Sequence, residues 1–219
     1  MKEQFPAAFT PSGSEAGPAP SIDREMVRGF GLAAMIMTLQ ASSSDVHCLK
    51  GNHDNVLNSQ ERGNRQVKKQ LSRPGEGEIT RVWTLARFGA GLAGKYATWE
   101  NHLPLLAIFD NEEGLRFVAS HTEPGGPYTR EEIERREDDL VFGLTWTRNG
   151  GRFAPDVLRN IFGSRWTGAR YFASHTATEE GVLRVPDNKL VIVNKPHHLV
   201  AALVRPGFEE FEVHTVAES

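Results

Sequence analysis

The amino-acid sequence predicts an α/β fold on three observations. Apolar residues recur at helical spacing soon after the N-terminus, short apolar runs mid-chain stop abruptly at polar residues, and the last third alternates strand-length apolar runs with Pro- and Gly-centred turns. At 219 residues the chain matches the ~100–200 residues of a typical domain. The expectation is a leader over 1–20 and a single folded domain over 21–219. Within the leader, Pro6, Pro11, Gly13, Pro18 and Pro20 interrupt any apolar period, so it is expected to remain unpacked.

The elements follow in order. Ser21 is an N-cap candidate, Asp23 and Glu25 sit in the first turn, and Met26, Phe30, Ala33, Met37 and Gln40 share one helical face. This helix should end in the polar run Ser42-Ser43-Ser44. A short strand over 45–50 then runs into Gly51-Asn52-His53-Asp54, a strand-to-loop corner of the kind where open α/β sheets place binding groups. Residues 66–102 read as mainly helical, with a loop near 74–77 and interruptions at Gly89, Gly91 and Gly94.

Strands are expected over 105–110 and 115–120, joined by a turn at 111–114; the second ends on His121. Thr129 and Glu132 form a capping box for a charged helix reaching about 139, and Pro155 opens a short helix to 161. Four strands close the chain, over 169–174, 190–194, 198–204 and 208–213, with turns at 186–188 and at Pro206-Gly207. The first of these ends on His175.

Charge and hydropathy exclude several classes. A net charge of −3, with 25 basic residues spread along the chain, offers no nucleic-acid footprint. The longest apolar stretches, 31–39 and 103–109, fall short of the ~20 residues that span a bilayer. No apolar signal core precedes the fold, so a cytoplasmic location is expected. The single cysteine, Cys48, excludes an internal disulfide and reads as inert packing.

Three strand ends thus deliver an imidazole, two of them as Ser-His-Thr: Ser120-His121-Thr122 and Ser174-His175-Thr176. A divalent ion that activates water needs neutral imidazole and oxygen ligands converging from separate elements of a rigid scaffold. Asn52, His121 and His175 are such a set, although a histidine at an element's end is more often a hydrogen bonder. Arg62, Arg65 and Arg165 are of a type that grips phosphate, but read as solvated surface charges.

The run Leu49-Lys50-Gly51-Asn52-His53-Asp54-Asn55, followed by Phe117-Val118-Ala119-Ser120-His121-Thr122-Glu123-Pro124 and Tyr171-Phe172-Ala173-Ser174-His175-Thr176, resembles the calcineurin-like metallophosphoesterases. The branch it resembles is that of the Ser/Thr protein phosphatases. The resemblance covers about 21–219. It implies a calcineurin-like phosphoesterase fold, with central mixed β-sheets in a β-sandwich flanked by helices. It also implies two divalent ions of Mn, Fe or Zn type, at most one of them fully liganded by this chain through Asn52, His121 and His175. His53 would be the general acid for the leaving group or would stabilise the transition state electrostatically, and Asp54 would orient the loop. The substrate would be a phosphoester, small molecule or phosphoprotein. His47, His102, His197, His198 and His214 match no ligand position.

The sequence departs from the family in places. No Asp-x-His precedes Gly51 and no Gly-Asp occurs in 1–50, so the segments that hold the first ion and bridge the pair are not found. The expectation is that N-terminal strands of the sheet are missing from this chain. Ser174 stands where many members have Gly, and Ala177 replaces the second histidine of the phosphodiesterase type. Metal-dependent phosphoester hydrolysis is therefore expected through half of a dinuclear site, with weak or no turnover. The alternative is a non-catalytic or degenerate relative that binds or scaffolds; a mononuclear hydrolase of non-phosphate esters is a third.

Overall fold

The computed structural model describes residues 20–68, 75–195, 199–204 and 211–216. They fall into two compact units: one takes the described residues through Cys48 with His53–Gln60 and Arg65–Leu103, the other Leu49–Asn52, Glu61–Asn64 and the chain from Pro104 onward.

The first unit is helical. α1 spans Pro20–Ser42 and α2 spans Glu76–His102. The expected face of α1 is the one that packs: Met26, Phe30, Ala33, Met37 and Gln40 are all partly buried. Phe30 stacks on Trp83 at 5.5 Å between ring centroids and meets Phe88 and Tyr96 at 5.2 and 5.1 Å. The Trp83 indole N–H donates to Asp23 Oδ1 at 2.9 Å, which fixes the rotation of α1 on α2. Of the three expected interruptions of α2, only Gly89 breaks the helix. Its φ of 76° and ψ of 165° are open to glycine, whereas Gly91 and Gly94 stay helical. The loop 53–60 is held by buried polar groups: Glu100 accepts from Val56 N at 2.8 Å, and Asn55 bridges the Ser59 and Arg65 carbonyls.

The second unit is built on a five-stranded mixed sheet of order β1-β2-β3-β5-β4. Its strands are β1 (Leu106–Asp110), β2 (Arg116–Ser120), β3 (Arg170–Ala173), β4 (Val182–Val185) and β5 (Leu190–Val193). β2, β3 and β5 run parallel, and the edge strands β1 and β4 are antiparallel to their neighbours. The helices are α3 (Arg130–Arg135), α4 (Asp138–Thr145) and α5 (Ala154–Phe162). One face of the sheet sends Val118, Tyr171, Ala173, Leu190 and Ile192 against Val157, Leu158 and Phe162 of α5. Leu140, Val141 and Leu144 of α4 close a second cluster over Leu105. β6 (Leu199–Leu203) and β7 (Glu212–Val216) form a separate antiparallel pair, and Phe211, just ahead of β7, rests on Phe172 at 5.3 Å.

Several local expectations change. Residues 45–50 form no strand. Lys50 N donates to the Pro104 carbonyl at 2.8 Å, but proline has no N–H to return the bond, so no ladder propagates. The capping box at Thr129 is present in both directions, yet α3 stops at Arg136, which turns left-handed at φ 54°. α4 then starts afresh and carries the apolar face that the charged stretch before it lacks. β4 was not expected, and β7 lies later than 208–213 because pairing with β6 begins at Leu203 and Glu212. The leader apart from Pro20, the Pro206-Gly207 turn, His197 and His198 lie outside the described residues.

Candidate functional site

β2 and β3 are parallel neighbours, so their carboxyl ends open at one edge of the sheet. His121 is the first residue past β2 and His175 the second past β3. Ser174 N donates to the His121 carbonyl at 3.1 Å, carrying the parallel register one step beyond the strands. His175 sits at φ 57°, a left-handed conformation that is uncommon without glycine and recurs at functional corners.

These turns bring three of the four predicted site residues together. His121 Nε2 lies 2.8 Å from Asn52 Oδ1 and 3.0 Å from His175 Nδ1, with the two imidazoles edge to face. The fourth, His53, belongs to the first unit, where its half-exposed ring has Nδ1 3.4 Å from Glu76 Oε1.

The sequence reading passed over Arg148. Its Nη2 donates to His175 Nε2 at 2.8 Å. Guanidinium has only donors, so this bond puts the proton of a neutral His175 on Nδ1. That proton points at His121 Nε2, which as acceptor cannot also donate to Asn52 Oδ1. Asn52 Oδ1 and His121 Nε2 therefore present lone pairs, and His175 Nδ1 carries the single proton among the three atoms. Their 2.8 and 3.0 Å spacings lie near the ~3.0 Å edge of an octahedron with ligand bonds of about 2.1 Å and below the ~3.4 Å edge of a tetrahedron. Asn52 Oδ1, His121 Nε2 and His175 Nδ1 are uncharged donors of types that a divalent ion accepts. Among the described residues, no group of three or more His, Cys, Asp or Glu is placed to hold a metal.

A buried carboxylate organises the loop that carries Arg148. Glu123, 3% exposed, accepts from Asn149 N at 2.6 Å and from Gly151 N at 2.8 Å through the same oxygen. Asn149 Nδ2 donates to the Pro124 carbonyl, and Gly125 N to that of Gly143. The segment after His121 is thereby stapled to the segment around Arg148. Gly151 has φ 74°, and a Cβ there would stand 2.6 Å from Leu190 Cδ2, so no larger residue fits. Beneath His121, Ser120 Oγ donates to the Thr122 carbonyl at 2.5 Å, so the fully buried Tyr171 hydroxyl must donate to Ser120 at 2.6 Å. Burial pushes the Tyr171 phenol well above its ordinary range, opposed by the Ser120 bond, and the group stays a neutral donor.

The other candidates are accounted for locally. Arg165 is committed to Asp110 at 2.7 Å, His102 Nδ1 lies 2.6 Å from the Thr98 carbonyl, and His214 pairs with Glu212 at 3.2 Å. His47 is exposed. The Cys48 thiol is pushed up by burial and by Asp54, as suits inert packing. Among the described residues, no helix is long and apolar enough to cross a membrane.

No protein-family model matches the chain, and no curated protein matches it in sequence. Its structure is similar to that of a protein serine/threonine phosphatase from Saccharomyces cerevisiae, described as similar to human phosphatase PP5. The TM-score is 0.56 at 15% identity, over 86% of this chain and 66% of that one. This chain spans less than two thirds of that phosphatase. The likeness is one of fold: a mixed sheet with helices, similar to a phosphatase.

Proposed function

We propose that this chain carries a calcineurin-like phosphoesterase site, acting on a phosphoester through the second-metal half of what is a dinuclear centre in that family. The supporting observation is the convergence of Asn52 Oδ1, His121 Nε2 and His175 Nδ1 at the carboxyl ends of two parallel strands, with Arg148 beside them. A divalent ion of Mn, Fe or Zn type, when bound, supplies Lewis-acid stabilisation and acidifies a water. Asn52, His121 and His175 would hold it.

The rest follows from the chain's own groups. With His175 Nδ1 as a ligand, its ring proton would sit on Nε2, facing the donors of Arg148 and leaving the guanidinium to pair with phosphate oxygens. Glu123 keeps it within reach through Asn149 and Gly151. His53 takes the family's leaving-group role, giving a proton to the departing alkoxide. The substrate is a phosphoester, on a small molecule or a phosphoprotein, met in the cytoplasm.

A specific observation favours a second reading, a binding or scaffold protein of the same frame. The three donors are uncharged, and no carboxylate completes a metal-holding group among the described residues, so an ion would be held weakly and would lack a bridged partner.

p-Nitrophenyl phosphate turnover with added Mn²⁺ separates the two. The enzyme reading expects slow, metal-dependent turnover, lost by about 10²-fold in His53→Ala, with KM raised at least about tenfold in Arg148→Ala. Phosphate binding without turnover, weakened in Arg148→Ala, would favour the binding protein. Neither turnover nor phosphate binding sinks both.

A further inference from the structure

At the opposite end of the sheet, three cations gather around one concavity with no ion-paired counter-charge among the described residues. Arg170 opens β3, Lys189 immediately precedes β5, and Arg184 stands in β4. Strand register brings them together: Tyr171 pairs with Leu190, and Arg184 pairs with Val191. The five steps from Arg170 to His175, at no more than about 3.3 Å each, set this place up to roughly 16 Å along the chain from the imidazoles.

The concavity has a volume of about 270 Å³, and its walls are the three cations with Val185, Pro186, Leu190, Val191 and Phe211. Each cation is held without being neutralised. The Arg184 guanidinium lies 4.4 Å from the centre of the Phe211 ring. Lys189 Nζ donates to the Thr167 carbonyl at 2.5 Å and lies 5.3 Å from the Trp166 ring. Arg170 Nη1 reaches the Ala169 carbonyl at 3.4 Å. No ion pair among the described residues engages any of the three. Desolvation, and then the charge of Arg170, lower the affinity of the Lys189 amine for its proton. Like charges held this close repel one another, and an anion is what relieves them.

We infer that this concavity is an accessory anion site that takes a phosphate dianion, free or on a small ester, between Arg170, Arg184 and Lys189. Two guanidinium forks and an ammonium match the several acceptor oxygens of a phosphate better than the two of a carboxylate. The volume lies at the small end for ligand sites, so the organic remainder is small. The site is independent of the imidazole centre proposed above.

The test is calorimetric titration of the full chain with inorganic phosphate, and separately with glycerol phosphate, at low ionic strength and without added metal. The parent for both titrations is Arg148→Ala, which removes the imidazole-centre anion grip. This parent is expected to bind phosphate still, and Arg170→Gln with Arg184→Gln to weaken that binding at least tenfold. The Lys189 side-chain NMR signal, assigned by its loss in Lys189→Arg, should titrate at higher pH once phosphate is bound. Equal affinity for the two probes supports a site for the phosphate group alone, and tighter ester binding supports a site for an ester. Circular dichroism unchanged by the glutamines confirms that folded chains are being compared. No binding to the parent, equal binding after the double substitution, or an unmoved Lys189 titration overturns the site.

Discussion

The two compact units of this chain seal their apolar residues to very different degrees. In the sheet unit, Val118, Val157, Leu158 and Tyr171 have no exposed surface at all. In the helical unit, α1 buries one face on α2 and presents Val27, Leu32, Met35 and Leu39 to solvent at 48 to 64% exposure. The comparison teaches where precision is available. His121 and His175 extend strands pinned by a close-packed core, and Glu123 fixes the neighbouring loop to them. His53 instead stands on a loop of the unit whose apolar surface is half open.

Substitutions at three positions probe that contrast, in falling order of effect. Leu158→Ala removes a fully buried side chain packed between α5 and the sheet and should cost about 2–5 kcal/mol in urea unfolding. Glu123→Ala strands the Asn149 and Gly151 N–H groups and should cost about 2–3 kcal/mol. Glu123→Gln keeps one carbonyl oxygen for both donors and should recover at least half of that. If Glu123→Ala lowers phosphate affinity no further in an Arg148→Ala background, the carboxylate acts through Arg148; additive losses would show that it does not. Met35→Ser, at 64% exposure, should change stability by less than about 0.5 kcal/mol. A cost there approaching that of Leu158→Ala would mean that the face of α1 is covered in solution, and the contrast between the units would fall.

Much of this architecture was legible because local chemistry and tertiary packing agree. The α1 face, the capping box at Thr129, the 111–114 turn with Leu115 N on Asn111 Oδ1, and the Pro155 helix start all appear where composition puts them. What escaped depends on partners that a linear pattern does not contain. Residues 45–50 have the composition of a strand, but their neighbour is Pro104. β4 is four residues at a sheet edge, with exposed Leu183 and Arg184 at its centre, and shows no clear alternation. Arg136 ends α3 in a conformation that arginine composition does not signal.

The site divides in the same way. Asn52, His121 and His175 were singled out because each sits in a short motif at a predicted strand end; His121 and His175 do follow strands, whereas the segment before Asn52 forms none. Arg148 and Glu123 were not, because their meaning is relational. An arginine ahead of Asn149-Gly150-Gly151 was the available sign of a side chain held at a tight loop, and Glu123 acquires a role only when that loop folds over it.

The most direct measurement is Mn²⁺ binding to the full chain, followed by the loss of the free-ion paramagnetic resonance signal. One ion per chain is predicted, lost in His121→Ala and in His175→Ala and retained in His53→Ala. A chain that binds no Mn²⁺, or a His175→Ala variant that binds it as tightly as the parent, would contradict the account.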